Sequence, residues 1–372
     1  MLKVVNYIKE HGLEKTLTDF KLKSKDYPHK VLIKYDQIES DISLTEVQES
    51  RGLVLEKDAW NIMSMSFMKF FNSAEGHAAK IDWDSALILE KLDGSLITLY
   101  FDWVLNKWCA ATTGTAEAEG EVNNKFGTTF SDLFFKVLSD TTNIDLNTLP
   151  KGYSYMFELC TPYNIVVKPH NTSSITLLAI KKLDDLTEID YNTLRKISKL
   201  LGVQLVKSFD INAKNSGHVI KTLEGMPYTE EGYVIVDKNF NRIKIKNPAY
   251  VAVHHLKSKT AEYNIVEIIK ANEIEEFAAT FPDRRDEIFS LKESFDTLKS
   301  DLSSCWSELK GFLPRNITKE EQKKFAMKVF EYAKKYDLTL HTGLFFGLKD
   351  GKVKTVDAYL MNMDNKKLYT LL

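Results

Sequence analysis

Cysteine is scarce in this sequence: Cys109, Cys160 and Cys305 are far apart and odd in number. They make neither a disulfide framework nor a zinc-ligand pattern, and read as buried free thiols in a reducing, cytosolic setting. An excess of one charge is missing too. Lys and Arg number 50 against 52 Asp and Glu, a net charge of −2, so no global basic field marks a polyanion binder. Any polyanion must be met by local lysine and arginine clusters. No apolar run approaches the ~20 residues that cross a bilayer, and the N-terminus MLKVVNYIKEHGLEK lacks one altogether, so no membrane contact is expected. G-x-x-x-x-G-K-[ST] is absent, which excludes a P-loop as the phosphate cradle; H-E-x-x-H and G-x-S-x-G are absent as well. The histidines do not cluster. The one adjacent pair, His254-His255, reads as strand, where neighbours point to opposite faces and make no metal site.

What is present suffices for two domains: 372 residues, 44% apolar and 11% aromatic. From about Val31 to Val253 short strands dominate, at Val31–Tyr35, Arg51–Glu56, Ala86–Lys91, Ser95–Phe101, Lys107–Thr112, Ser154–Leu159, Ile175–Ile180, Gly232–Val236 and Arg242–Lys246. A hairpin around Asn106 joins two of them. Helical periodicity appears at Thr128–Leu138, with Phe130, Leu133, Phe134 and Leu138 on one face, and at Tyr191–Leu201. Strands that cluster in this way predict an α+β domain on antiparallel sheets, over residues 1–258.

Beyond that point the texture turns helical. Ile288, Leu291, Phe295, Leu298, Leu302, Cys305 and Leu309 make one apolar seam along a helix from about Arg284 to Lys310. The seam is core packing, or alternatively a dimer face. Pro314 stops the chain, Thr318 and Glu321 form a capping box, and the next helix is expected to bury Phe325, Val329, Phe330 and Ala333. A mostly α-helical C-terminal domain therefore occupies residues 259–372. Its lysines between Lys310 and Lys335 read as a solvated face, with an RNA-tracking surface as the alternative.

The chemistry gathers around Lys91-Leu92-Asp93-Gly94. A lysine ahead of an Asp-Gly turn is weak evidence alone; Lys349-Asp350-Gly351 is read as an ordinary turn. Lys91, however, follows the apolar strand Ala86–Glu90, which places its amine at a strand tip. An amine attacks only when deprotonated, and nearby cations favour that form. Lys244 and Lys246, two apart in a strand, share a face and can supply such a field or neutralise a triphosphate. Their bland reading is a solvated edge strand. Glu158 and Glu231 are strand-borne acids among apolar neighbours and demand partners if buried. Arg51 is a candidate partner for Glu158.

Glu49-Ser50-Arg51-Gly52, Met68-Lys69-Phe70-Phe71-Asn72, Lys91-Leu92-Asp93-Gly94, Phe157-Glu158-Leu159 with Pro162, Asn164, Val166 and Val167, Glu231-Gly232-Tyr233-Val234, and Lys244-Ile245-Lys246 through Tyr250 to His254 follow one another in order. This set resembles the covalent nucleotidyltransferase superfamily, and within it the ATP-dependent RNA ligases of the T-even phage RNA ligase 1 type. The resemblance implies that Lys91 takes AMP onto its amine, and that Arg51, Lys69 and Phe71 line the ATP site. It implies that Gly94 lets backbone approach the nucleotide and Val234 packs on adenine. Glu158 would bind ribose or assist Mg2+, Glu231 would hold the metal, and Lys244 and Lys246 would grip phosphates. It further implies a monomer joining RNA 5′-phosphate and 3′-hydroxyl ends, of broken tRNA or of another RNA, with or without a separate kinase-phosphatase to prepare them. Two positions depart from the pattern: Leu92 replaces an acid, and Thr113 stands where a basic residue is usual. DNA ligases, capping enzymes and a non-catalytic RNA-binding relative are the alternatives. The helical sequel to Lys246, in place of a small β-barrel, disfavours the first two.

Overall fold

The computed structural model describes residues 1–123, 126–256, 264–280, 284–314 and 318–372. Internal contacts divide the chain into two units, Met1–His254 and His255–Leu372. The strands of the first are, in chain order, β1 (Leu22–Asp26), β2 (Lys30–Tyr35), β3 (Arg51–Glu56), β4 (Ile62–Ser64), β5 (Phe71–Asn72), β6 (Leu87–Glu90), β7 (Ser95–Asp102), β8 (Lys107–Ala111), β9 (Tyr153–Cys160), β10 (Ser174–Lys182), β11 (Gln204–Leu205), β12 (Ser208–Phe209), β13 (Gly232–Val236) and β14 (Arg242–Lys246). They form three sheets, ordered β1-β2-β3-β4, β11-β10-β9-β7-β8 and β12-β6-β13-β14-β5. Pairing is antiparallel except at β10–β11 and β14–β5. This is the expected α+β class.

Side-chain alternation explains how the third sheet is used. In Arg242-Ile243-Lys244-Ile245-Lys246 the two isoleucines are buried and the three cations half-buried. Ile88, Tyr233, Ile235, Ile243 and Ile245 pack on Val219 and Leu223 of helix Ser216–Leu223. The opposite face carries Leu89, Val234 and Lys244, aligned across β6, β13 and β14. In the second sheet Ile97, Leu99, Phe157 and Leu177 pack against Phe134 and Leu138 of helix Phe130–Thr141. Glu158 has the opposite parity to Phe157 and Leu159, and so faces away from that core. Thr129 starts the helix with the reciprocal cap: its hydroxyl accepts from Asp132 N–H, and the Asp132 carboxylate from Thr129 N–H.

The hairpin expected around Asn106 is present, with Asn106 at φ 49° between β7 and β8. Cys109, Cys160 and Cys305 are free and buried, as expected. The Asp93-Gly94 segment joins β6 and β7, which belong to different sheets. Two readings change. His254-His255 lies on helix Pro248–Leu256, not a strand; Asn247 accepts from Ala249 N–H at its start, and Pro248 needs no donor in a first turn. Phe330 is 58% exposed. Phe325, Val329 and Ala333 fall four apart and are buried, and position 330 is turned well away from that stripe. The N-terminal helices Lys3–His11 and Leu13–Asp19 had no sequence prediction.

In the second unit, helix Arg285–Lys310 carries the seam as expected: Ile288, Phe295, Leu302, Cys305 and Leu309 are buried, with Leu291 and Leu298 packed alongside. The Thr318 hydroxyl caps helix Lys319–Lys335 by accepting from Glu321 N–H at 3.3 Å. Lys349-Asp350-Gly351 ends helix Thr342–Lys349 in a turn, with Gly351 at φ 70°. Among the described residues no helix is long and apolar enough to cross a membrane.

Candidate active site

Lys91 stands where the chain passes from the third sheet to the second. β6 ends at Glu90, β7 begins at Ser95, and the crossing is tied on every side. Lys91 N–H donates to Gly232 O at 2.9 Å, continuing the β6–β13 ladder by one residue. Asp93 is buried, and its carboxylate accepts from Val167 N–H at 2.9 Å and Lys168 N–H at 2.6 Å. His170 Nε2 is 2.7 Å from Asp93 O, and the Asn164 amide donates to Ser95 Oγ at 2.8 Å. A buried carboxylate is stable only with such donors, and here they come from the segment after β9. The aspartate of the lysine motif thus holds the loop and leaves the amine to the cleft.

Gly94 is needed for close approach to protein backbone. A Cβ there would lie 2.7 Å from Leu159 O and 3.0 Å from Glu158 Cγ. Gly232, at φ 133°, has no room either: a Cβ would lie 2.2 Å from Ile245 O. These two contacts bring β9, β13 and β14 up to Lys91.

The Lys91 Nζ lies 2.6 Å from a Glu231 carboxylate oxygen, with the lysine 22% and the glutamate 7% exposed. Arg51, Lys91, Gly94, Glu158 and Val234 line one cavity of about 540 Å³. Glu158 is half-buried, and its carboxyl is pushed up to about 8, first by loss of water. Lys91 and Arg51 pull against that rise, while Glu231 and Asp93 add to it. At neutral pH the carboxyl is therefore mostly protonated.

The remaining sequence-predicted residues, Lys69, Phe71, Glu231, Lys244 and Lys246, do not line this cavity. Lys244 pairs directly with Val234, and Lys246 with Gly232, the residue that accepts from Lys91. Both lysines therefore share the face of Val234, though neither belongs to the cavity wall among the described residues. Phe71 is buried in β5, and the Lys69 Nζ lies over the rings of Tyr35 and Phe71, at 5.5 and 5.7 Å. Arg51 donates to Phe67 O at 3.5 Å, not to Glu158.

Arg242 is a wall residue that the motifs did not include. Its guanidinium lies 4.7 Å from the Phe67 ring centre and donates through two nitrogens to Glu188, at 3.1 and 2.6 Å. Glu188 also meets the buried Lys181 at 3.5 Å. The signal was available: Arg242 has the parity of Lys244 and Lys246. Phe67, Thr112 and Thr115 also line the cavity, and nothing in their local sequence marks them.

Fold and cleft together define an enzyme of the mixed α+β class. The chain belongs to the RNA ligase family, whose model matches residues 49–250, a span that holds every predicted site residue from Arg51 to Lys246. It is 24% identical over 383 residues to an RNA ligase of Rhodothermus phage RM378, covering 86% of this chain and 84% of that one. A protein of Autographa californica nuclear polyhedrosis virus, described as a bifunctional polynucleotide kinase/RNA ligase, is 25% identical over 302 residues. That match takes in 76% of this chain and 42% of the viral protein. Among solved structures, an archaeal ATP-dependent RNA ligase aligns with a TM-score of 0.44 at 11% identity, over 92% of this chain and 81% of that chain.

Proposed function

We propose that this RNA ligase joins RNA 5′-phosphate and 3′-hydroxyl ends by way of AMP carried on Lys91. The amine attacks the α-phosphorus of ATP, an N–P bond forms, and pyrophosphate leaves with the electrons of the broken P–O bond. An oxygen of the RNA 5′-phosphate then displaces the lysine, making an RNA-adenylate. The 3′-hydroxyl finally attacks the 5′-phosphorus, and AMP departs as the phosphodiester forms. The observation that carries this reading is the Lys91–Glu231 contact of 2.6 Å beside the cavity lined by Arg51 and Glu158. Glu231 is placed to take the proton that the amine must lose before attack.

Glu158 and Glu231 are the residues that would hold Mg2+. The environment of Glu158 fits such a charge: burial and the neighbouring Glu231 raise the cost of ionising it, a penalty that a cation there removes. Such a cation supplies charge against the phosphates. Arg51, Lys244 and Lys246 supply the rest, and Val234 offers an apolar seat for adenine.

The substrate in this reading is a break in tRNA or another RNA in the cytoplasm, after a kinase-phosphatase has healed the ends. The kinase named in the viral relative's description supports that pairing. Incubation with α-labelled ATP followed by a denaturing gel is the test. The wild-type chain takes covalent label, Lys91→Ala takes none, and GTP labels neither. Label that persists on Lys91→Ala would remove the central assignment. A GTP-labelled wild type would point to a capping enzyme, and sealing of nicked DNA but not RNA to a DNA ligase.

A further inference from the structure

We propose that Lys34 is a phosphate-binding residue of this cleft, delivered from β2 to the Thr112–Thr115 corner. The assignment rests on the nucleotide reading of the cavity given above. Lys34 pairs with Arg51 across β2 and β3 at a bulge in which Gly52 is the extra residue, and its side chain leaves the face opposite to that of Ile33. Arg51 lines the cavity, as do Thr112, Thr113 and Thr115. The strand and the corner are pressed together: Gly52 is at φ 73°, and a Cβ on it would lie 2.7 Å from Thr113 Cα. The corner is held in shape by the Thr112 hydroxyl, which accepts from Gly114 N–H at 3.2 Å and Thr115 N–H at 3.0 Å.

The Lys34 ammonium reaches this corner. Its Nζ lies 3.7 Å from where a Cβ of Gly114 would stand. The Thr112–Thr115 corner carries no charged side chain of its own. Lys34 brings positive charge to it from another strand.

The amine is also uncommitted. Three other inward-facing lysines of this unit are neutralised, Lys30 by Asp102 at 2.8 Å and Glu117 at 3.0 Å, Lys181 by Glu188 at 3.5 Å, and Lys91 by Glu231, while Lys69 lies over the Tyr35 and Phe71 rings. Lys34 is half-buried and makes no side-chain hydrogen bond or ion pair among the described residues. A partly desolvated ammonium without an anion is costly, and a phosphate oxygen relieves that cost with a charge-assisted hydrogen bond. Two phosphoanions meet this chemistry, the phosphates of ATP and the RNA 5′-phosphate. Proximity to Arg51 on the cavity wall assigns Lys34 to the nucleotide.

The test compares wild type, Lys34→Ala, Lys34→Met and Lys34→Arg as full chains. One arm follows self-labelling by α-labelled ATP without RNA across ATP concentrations; the other follows sealing of pre-adenylylated RNA. Lys34→Ala and Lys34→Met should need roughly tenfold more ATP for half-maximal labelling, while Lys34→Arg stays near wild type. RNA-adenylate brings only one of the three nucleotide phosphates, so sealing of pre-adenylylated RNA should fall less than labelling, and melting curves that match wild type show that the variants are folded. Unaltered ATP dependence in the Ala and Met variants overturns the assignment, and so does an effect confined to sealing. A wild-type chain that takes no label overturns the lysyl-AMP reading itself, and the wild-type lane alone separates that outcome from the others.

Discussion

At the scale of single residues, the carboxyl of Glu158 makes the clearest physical forecast. Its folded value stands near 8 against an ordinary 4.5, so the folded protein keeps a proton that the unfolded chain releases. Its contribution favours folding below the ordinary carboxyl range and is lost as pH rises towards 8. Glu158→Gln is neutral throughout and escapes that loss. It should unfold at a higher temperature than wild type at pH 8, with the gap closing towards pH 5. Thermal melts at unit pH steps measure this, and a gap independent of pH would refute it. Glu158 and Glu231 were legible in the sequence because an acid flanked by apolar strand residues stands out. Lys34 was not, because its relevance depends on a register between β2 and β3 and on a corner some 80 residues downstream.

Elements were legible where the pattern was local. Apolar and β-branched composition marked Arg51–Glu56, Gly232–Val236 and Arg242–Lys246 with their observed bounds; only the last buries a single face, the other two being buried on both. That Lys91–Gly94 crosses between two sheets was not legible, since β6 pairs with β13 about 140 residues away and no short-range signal records that. Two substitutions test what the crossing does. Asp93→Ala leaves the Val167 and Lys168 N–H groups without their acceptor and should cost about 2–4 kcal/mol, seen as a lower unfolding midpoint, with slower self-labelling because Lys91 loses its anchor. Gly232→Ala puts a methyl 2.2 Å from Ile245 O at a positive φ. Strain at such a site is on the order of 1–3 kcal/mol before the clash is added. The variant should melt earlier and label poorly even at saturating ATP. Full labelling by either variant would show that the crossing does not position the amine.

At the scale of the molecule, the two units have separate cores. One apolar cluster runs from Ile265 to Leu368, and the others lie between Leu2 and Ile245. Cores that share no residue can melt independently. Calorimetry of the full chain should therefore resolve two transitions, of which ATP raises only one, by mass action on the unit that binds it. A single transition, or an equal rise in both, would contradict this. The change from strand to helix falls between Lys246 and Pro248, about ten residues before the shift in texture that the sequence shows near 257. The exposure of Phe330 was not, because two adjacent apolar residues in a helix look alike until the stripe is fixed by its partners.

The passage of the chain from one sheet to the other at Lys91–Gly94 has a bearing on engineering. The hairpin tip at Trp103–Leu105 is exposed, so an inserted epitope or a new terminus there disturbs only one edge. The four residues after Glu90 offer no such freedom. They are the stitch by which two sheets are sewn together, and the nucleophile is part of the thread.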